Sequence, residues 1–167
     1  MSLSEARTTD DVAAVGAIAR RSGLRIAVVE SLTSGGLAHA VGAGPDASEW
    51  FVGGIVAYMT EVKEVLLGVA AGTDPTSPEC AAQLAAGGRE LFAADVCVAT
   101  TGVGGPDSEG GHPPGTVYLG WATEGAQGHR LIELSGSPED VMAATVASAI
   151  DLILTTVQTA VRTADLG

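Results

Sequence analysis

Apolar residues fall along this chain in two rhythms, one helical and one extended. Residues 10–21, DDVAAVGAIARR, place Val12, Val15, Ile18 and Ala19 on one helical face, with acids first and arginines last as the helix dipole favours. LRIAVVE, 24–30, is a short β-rich run of the kind found in a strand covered on both faces. It stops at Glu30, and SLTSGG leads into a small-residue helix over 35–41. FVGGIVAY, 51–58, is a second strand, and Thr60 is placed to cap EVKEVLL, which ends at Gly68. Ser77 and Pro78 open another helix that reaches about Phe92, with proline where its missing N–H costs nothing. DVCVATT, 95–101, is a third strand, and TVYLGWAT and HRLIELS are two more joined by EGAQG in a hairpin. Ser137, with Asp140 three residues on, forms a capping box for a long final helix. The order α-β-α-β-α-α-β-β-β-α predicts one three-layer α/β/α domain over 1–167, its mixed sheet mostly parallel with one antiparallel strand. Residues 1–8 are expected to be flexible.

Composition narrows the function classes. The chain is 46% hydrophobic and only 17% charged, so it buries a substantial core. Eight basic residues stand against 20 acidic ones, a net charge of −12. Such a field repels phosphate backbones and anionic lipid, which argues against nucleic-acid and membrane-surface partners. Cys80 and Cys97 are the two cysteines; neither sits in a CxxC, and two thiols are too few for a disulfide framework. The apolar stretch 141–161 is interrupted by Asp151 and several hydroxyl residues, as in a core helix rather than a membrane span. A cytoplasmic protein is expected. A mean hydropathy of +0.32 leaves apolar surface to cover and predicts a homo-oligomer.

Ligands of open α/β sheets bind beyond the carboxyl ends of the strands. Those ends carry Glu30-Ser31-Leu32-Thr33-Ser34-Gly35-Gly36, Tyr58-Met59-Thr60 and Thr100-Thr101-Gly102, all rich in hydroxyls and glycine. Ser31 and its neighbours have two readings: they cap the following helix, or Ser31 is a nucleophile whose oxyanion the helix amides hold. Lys63 bears on that choice, because it is the only lysine. With Thr60 as cap it is the third helical residue, where the dipole favours its neutral form and Glu61 and Glu64 oppose that. A neutral lysine is a general base for a serine, whereas an exposed lysine has no such role. Tyr58 is either a core aromatic or a hydroxyl in the cleft. The loop 102–115, GVGGPDSEGGHPPG, is long enough to be functional. It opens no helix, so it is no dinucleotide fingerprint, and no Walker A pattern is present. His39, His112 and His129 lack ligand spacing, so neither a metal nor a cofactor is expected, and His112 reads as a solvated loop residue.

Three ordered motifs then resemble a known family. ESLTSGGLAHAV is similar to the ESCTGG-type segment of the C-terminal domain of competence/damage-inducible CinA proteins, the nicotinamide-nucleotide amidases. GGIVAYMTEVKEVLLGV resembles GGxxxYxNxxKxxLLGV, and ATTGVGGPDSEGG with PGTVYLGWA resembles TGxAGPxGG…VGTVY. The resemblance implies a five-stranded mixed sheet in three layers and deamidation of nicotinamide mononucleotide, a small-molecule pyridine nucleotide. It implies Ser31 as nucleophile, with Lys63 and Tyr58 activating it. Thr33, Ser34 and Gly35 would bind substrate together with Thr101, Gly102, Gly104 and Gly105. Leu32 stands where the family has cysteine and Ser34 where it has glycine, HPPGTV replaces KPVGTV, and Gly136 to Asp140 replace a GDR segment. The missing bases keep two alternatives open: a non-catalytic phosphate-binding module, and an amidase for another small amide.

Overall fold

The computed structural model describes residues 2–167. Helix α1, Leu3–Ser22, packs on the chain's last helix, α5, Pro138–Ala164. Its first turn is closed by a capping box in which the Ser2 hydroxyl and the Glu5 carboxylate each accept a backbone N–H of the other residue. Residues 3–8, expected to be flexible, are therefore helical; the polar composition that suggested a tail is that of a capped, solvent-facing first turn. Met1 lies outside the described residues.

Strands β1, Ile26–Glu30; β2, Phe51–Val56; β3, Val96–Gly102; β4, Thr116–Thr123; and β5, Ala126–Glu133, form one sheet in the order β2-β1-β3-β4-β5. Four strands run one way and β4 runs against them, so β1 pairs in parallel with β2 and β3, while β3–β4 and β4–β5 are antiparallel. The fold class read from the sequence is the one observed. β5 starts at Ala126 rather than 129, because the Thr123–Ala126 pairing shrinks the hairpin to a two-residue turn. β2 ends at Val56 rather than 58: the Ala57 N–H still reaches the Glu30 carbonyl, and the chain then turns away.

The two-residue period of β1 divides the interior. Ile26 and Val28 join Leu37 and Val41 of α2, Gly36–Gly42, with α1 and α5 on one face. Ala27 and Val29 join Leu84 and Ala85 of α4, Pro78–Leu91, on the other. That second face is built from small residues, and α4 lies close on it: a Cβ at Gly120 of β4 would stand 1.8 Å from the Ala81 carbonyl oxygen. Ala and Gly in both surfaces are what allow the close approach. α5 is, among the described residues, the one helix long and apolar enough to cross a membrane by length and composition. Its Ala149, Ile150, Ile153 and Val157 are buried in the core.

Helix α3, Thr60–Leu67, begins one residue earlier than Thr60 as cap would give: Met59 is the extended N-cap, and no side chain caps it. Thr60 is the first helical residue and Lys63 the fourth. The turn is set by Lys63, whose side chain reaches back to the Tyr58 carbonyl, rather than by a hydroxyl.

Candidate active site

Because β1, β2 and β3 are parallel, their carboxyl ends share one edge of the sheet, and a cleft of about 340 Å³ opens there. A volume near 300 Å³ is at the lower end for small-molecule sites. Ser31 follows β1, Lys63 comes from α3, Thr101 and Gly102 end β3, and Met142 and Pro138 close the side nearest α5.

Lys63 Nζ lies 3.1 Å from Ser31 Oγ and 2.9 Å from the Tyr58 carbonyl oxygen. The lysine is 3% exposed and the serine 7%. Burial lowers the Lys63 pKa from its ordinary value, while Cys80 and Glu109 push it back up. Cys80 is itself fully buried, and burial raises its thiol above the ordinary range, so it stays a thiol beside the lysine. A buried amine with its proton weakened, in hydrogen-bond reach of a serine hydroxyl, is the pairing a serine nucleophile needs.

Glu30 decides what the following turn does. It shares the face of Ile26 and Val28 by strand alternation, so its side chain meets the start of α2. There, fully buried, its carboxylate accepts the N–H groups of Gly35 (3.2 Å), Leu37 (2.8 Å) and Ala38 (2.9 Å). The Ser34 N–H donates to the Ser31 carbonyl, and Thr33 and Thr100 exchange a 2.9 Å hydroxyl hydrogen bond. The amides of Leu32 and Thr33 have no acceptor among the described residues. Ser34 has φ +50, a left-handed conformation that costs a residue with a Cβ about 1 kcal/mol or more.

The chain compares closely with known proteins. The CinA C-terminal domain matches residues 9–157. The chain belongs to the CinA C-terminal domain family. It is 39% identical over 143 residues to a CinA-like protein of Frankia casuarinae, covering 83% of this chain and 33% of that protein. A Bacillus velezensis protein named for competence-damage induction is 40% identical over 122 residues, covering 71% of this chain and 29% of that one. The chain thus spans about a third of the length of these curated relatives. A CinA superfamily crystal structure from Escherichia coli superposes with a TM-score of 0.86 at 30% identity over 92% of both chains.

Within this CinA domain, the expected site residues divide into two groups. Ser31, Lys63, Tyr58, Thr101, Gly102, Gly104 and Gly105 line the cleft. Thr33, Ser34 and Gly35 do not, and the Gly35 amide expected to hold an anion is taken by Glu30. The Thr101 hydroxyl is likewise engaged, donating to the Pro75 carbonyl. Tyr58 stands at the cleft 65% exposed, and its backbone carbonyl accepts a hydrogen bond from Lys63 Nζ. His112 is no solvated loop residue. Its Nε2 lies 2.7 Å from Asp74 Oδ2, tying the 102–115 loop to the segment before α4. That hydrogen bond, with a lesser one from the Thr76 N–H, holds the Asp74 carboxyl below its ordinary range. Sequence reasoning missed Asp74, Pro75 and Thr76 altogether. The one signal for them was the DPTSP run between two helices, which reads as an ordinary connector.

Proposed function

We propose that this chain is an amidase that hydrolyses a pyridine carboxamide through an acyl-enzyme on Ser31. Ser31 Oγ attacks the carboxamide carbon while the neutral Lys63 amine takes the hydroxyl proton. The Leu32 amide, which follows the nucleophile at the cleft and has no acceptor among the described residues, serves the developing oxyanion. Lys63 passes its proton to the leaving nitrogen, and ammonia departs with the C–N bond. Water then attacks the acyl carbon, Lys63 accepts its proton, and the same proton returns to Ser31 Oγ as the acid is released. The observation that carries this reading is the buried 3.1 Å pair of Lys63 Nζ and Ser31 Oγ at the cleft. The family resemblance points to nicotinamide mononucleotide as the substrate.

A phosphate-binding module without turnover is the weaker reading, because Glu30 already occupies the α2 amides such a module would use. Ammonia release from nicotinamide mononucleotide, nicotinamide riboside and nicotinamide tests the proposal. At least one is turned over by the native chain, and Ser31→Ala lowers that rate at least a thousandfold. Full turnover by Ser31→Ala, or silence of the native chain on all three, would reject it.

A further inference from the structure

The charge at the cleft is the reverse of what a phosphate needs. Asp74, Asp107 and Glu109 line it against, among the described residues, a single cation, Lys63. Lys63 donates to Ser31 and to the Tyr58 carbonyl and is almost wholly buried, so it is not available to a ligand's phosphate. No arginine lines the cleft: Arg20 pairs with Asp46 and Glu49, Arg7 and Arg130 with Asp151, and Arg89 lies in another depression beside the β4–β5 turn. Two other anion receptors nearby are already neutralised by carboxylates of this chain. Glu30 holds the α2 amides and Asp74 holds His112. Asp107 and Glu109 make no ion pair among the described residues and stand exposed at the lip. The lining carboxylates, the lack of a cleft arginine among the described residues and the two internal pairings thus point one way.

We propose that this cleft selects a pyridinium carboxamide without a phosphate, the cationic riboside rather than the ribotide, with Asp107 and Glu109 as the specificity-determining residues. The inference rests on the amidase reading for the carboxamide end and on the cleft's charge for the rest. The ring cation of an N-ribosylated nicotinamide is attracted by two unpaired carboxylates, and a phosphate ester at the same lip is repelled by them. The attraction is exposed to solvent and therefore weakens as salt rises.

Two measurements test this, one independent of catalysis. Calorimetric titration of the Ser31→Ala chain at low ionic strength should give a dissociation constant for nicotinamide riboside at least tenfold below that for the mononucleotide. Uncharged nicotinamide should bind more weakly than the riboside, and 0.5 M salt should shrink the riboside's advantage severalfold. On the native chain, kcat/KM for ammonia release should show the same order. Asp107→Asn with Glu109→Gln should close the riboside–mononucleotide gap at least fivefold, mainly by improving the mononucleotide. Equal or tighter binding of the mononucleotide, or a gap unmoved by the double substitution, overturns the charge selection. Riboside-selective binding with no ammonia from any substrate would instead reject the amidase reading and leave the selection standing.

Discussion

Ser34 holds its backbone at φ +50, where its Cβ crowds the adjacent peptide, and its hydroxyl gains only a 3.5 Å contact with the Ser31 carbonyl. Ser34→Gly should therefore raise stability by about 1 kcal/mol, seen as a higher urea midpoint at unchanged m-value. A lower midpoint would mean that the hydroxyl contact outweighs the strain. Lys63 shows the opposite trade, a residue whose burial works against the fold and serves the chemistry. Its folded pKa is below the ordinary 10.5, so below that depressed value the buried ammonium penalises folding. The penalty is relieved as pH rises from the depressed value toward 10.5. Lys63→Met should abolish ammonia release and leave Tm at pH 7 at or above the native value. With the native chain, kcat/KM should climb with pH along one limb whose midpoint lies below 10.5. A flat profile, or a large fall in Tm, would count against the base role.

At the scale of elements, β1 and α2 are joined through Glu30 more than through the short apolar face of a seven-residue helix. Three N–H groups at the helix start converge on one buried carboxylate. Removing it leaves buried donors unpaired at about 1–3 kcal/mol each. Glu30→Ala should cost on the order of 3 kcal/mol in chemical denaturation, and Glu30→Gln, which keeps an acceptor, distinctly less. Equal costs for the two would show that the carboxylate charge, which both variants lack, holds the helix start, and that neither the side-chain volume nor a neutral acceptor can replace it. The helix order and most strand positions were readable because each element carries its own periodicity. Met59 as cap in place of Thr60 was not readable, because the turn depends on a lysine reaching back across it.

On the scale of the whole molecule, His112 and Asp74 fasten the 102–115 loop across the cleft from residues 38 positions apart. The bond is present while Asp74 is ionised. Its carboxyl sits below the ordinary 3.8, so the clamp's contribution is complete above that pH and is lost as pH falls through the depressed value. Asp74→Asn should speed amide hydrogen exchange across residues 103–115 at pH 7 and raise KM more than it lowers kcat. Unchanged exchange in that loop would show that its glycine-rich backbone is held by other contacts, such as the Val103–Thr116 and Gly115–Val103 hydrogen bonds.

By itself, the sequence determined the element order, the three layers and the pairing candidates Ser31 and Lys63. Those follow from local quantities: apolar period, caps, and a lone lysine near the end of a strand. Tertiary structure alone decided which groups were still free to act. A hydrogen-bond donor serves one acceptor at a time, and sequence does not say which acceptor folds against it. Glu30 took the amide that Gly35 was expected to offer, Pro75 took the Thr101 hydroxyl, and the Tyr58 backbone carbonyl took a hydrogen bond from Lys63. Folding leaves a cleft at the strand ends, with Ser31 and Lys63 facing each other in it and carboxylates at its lip.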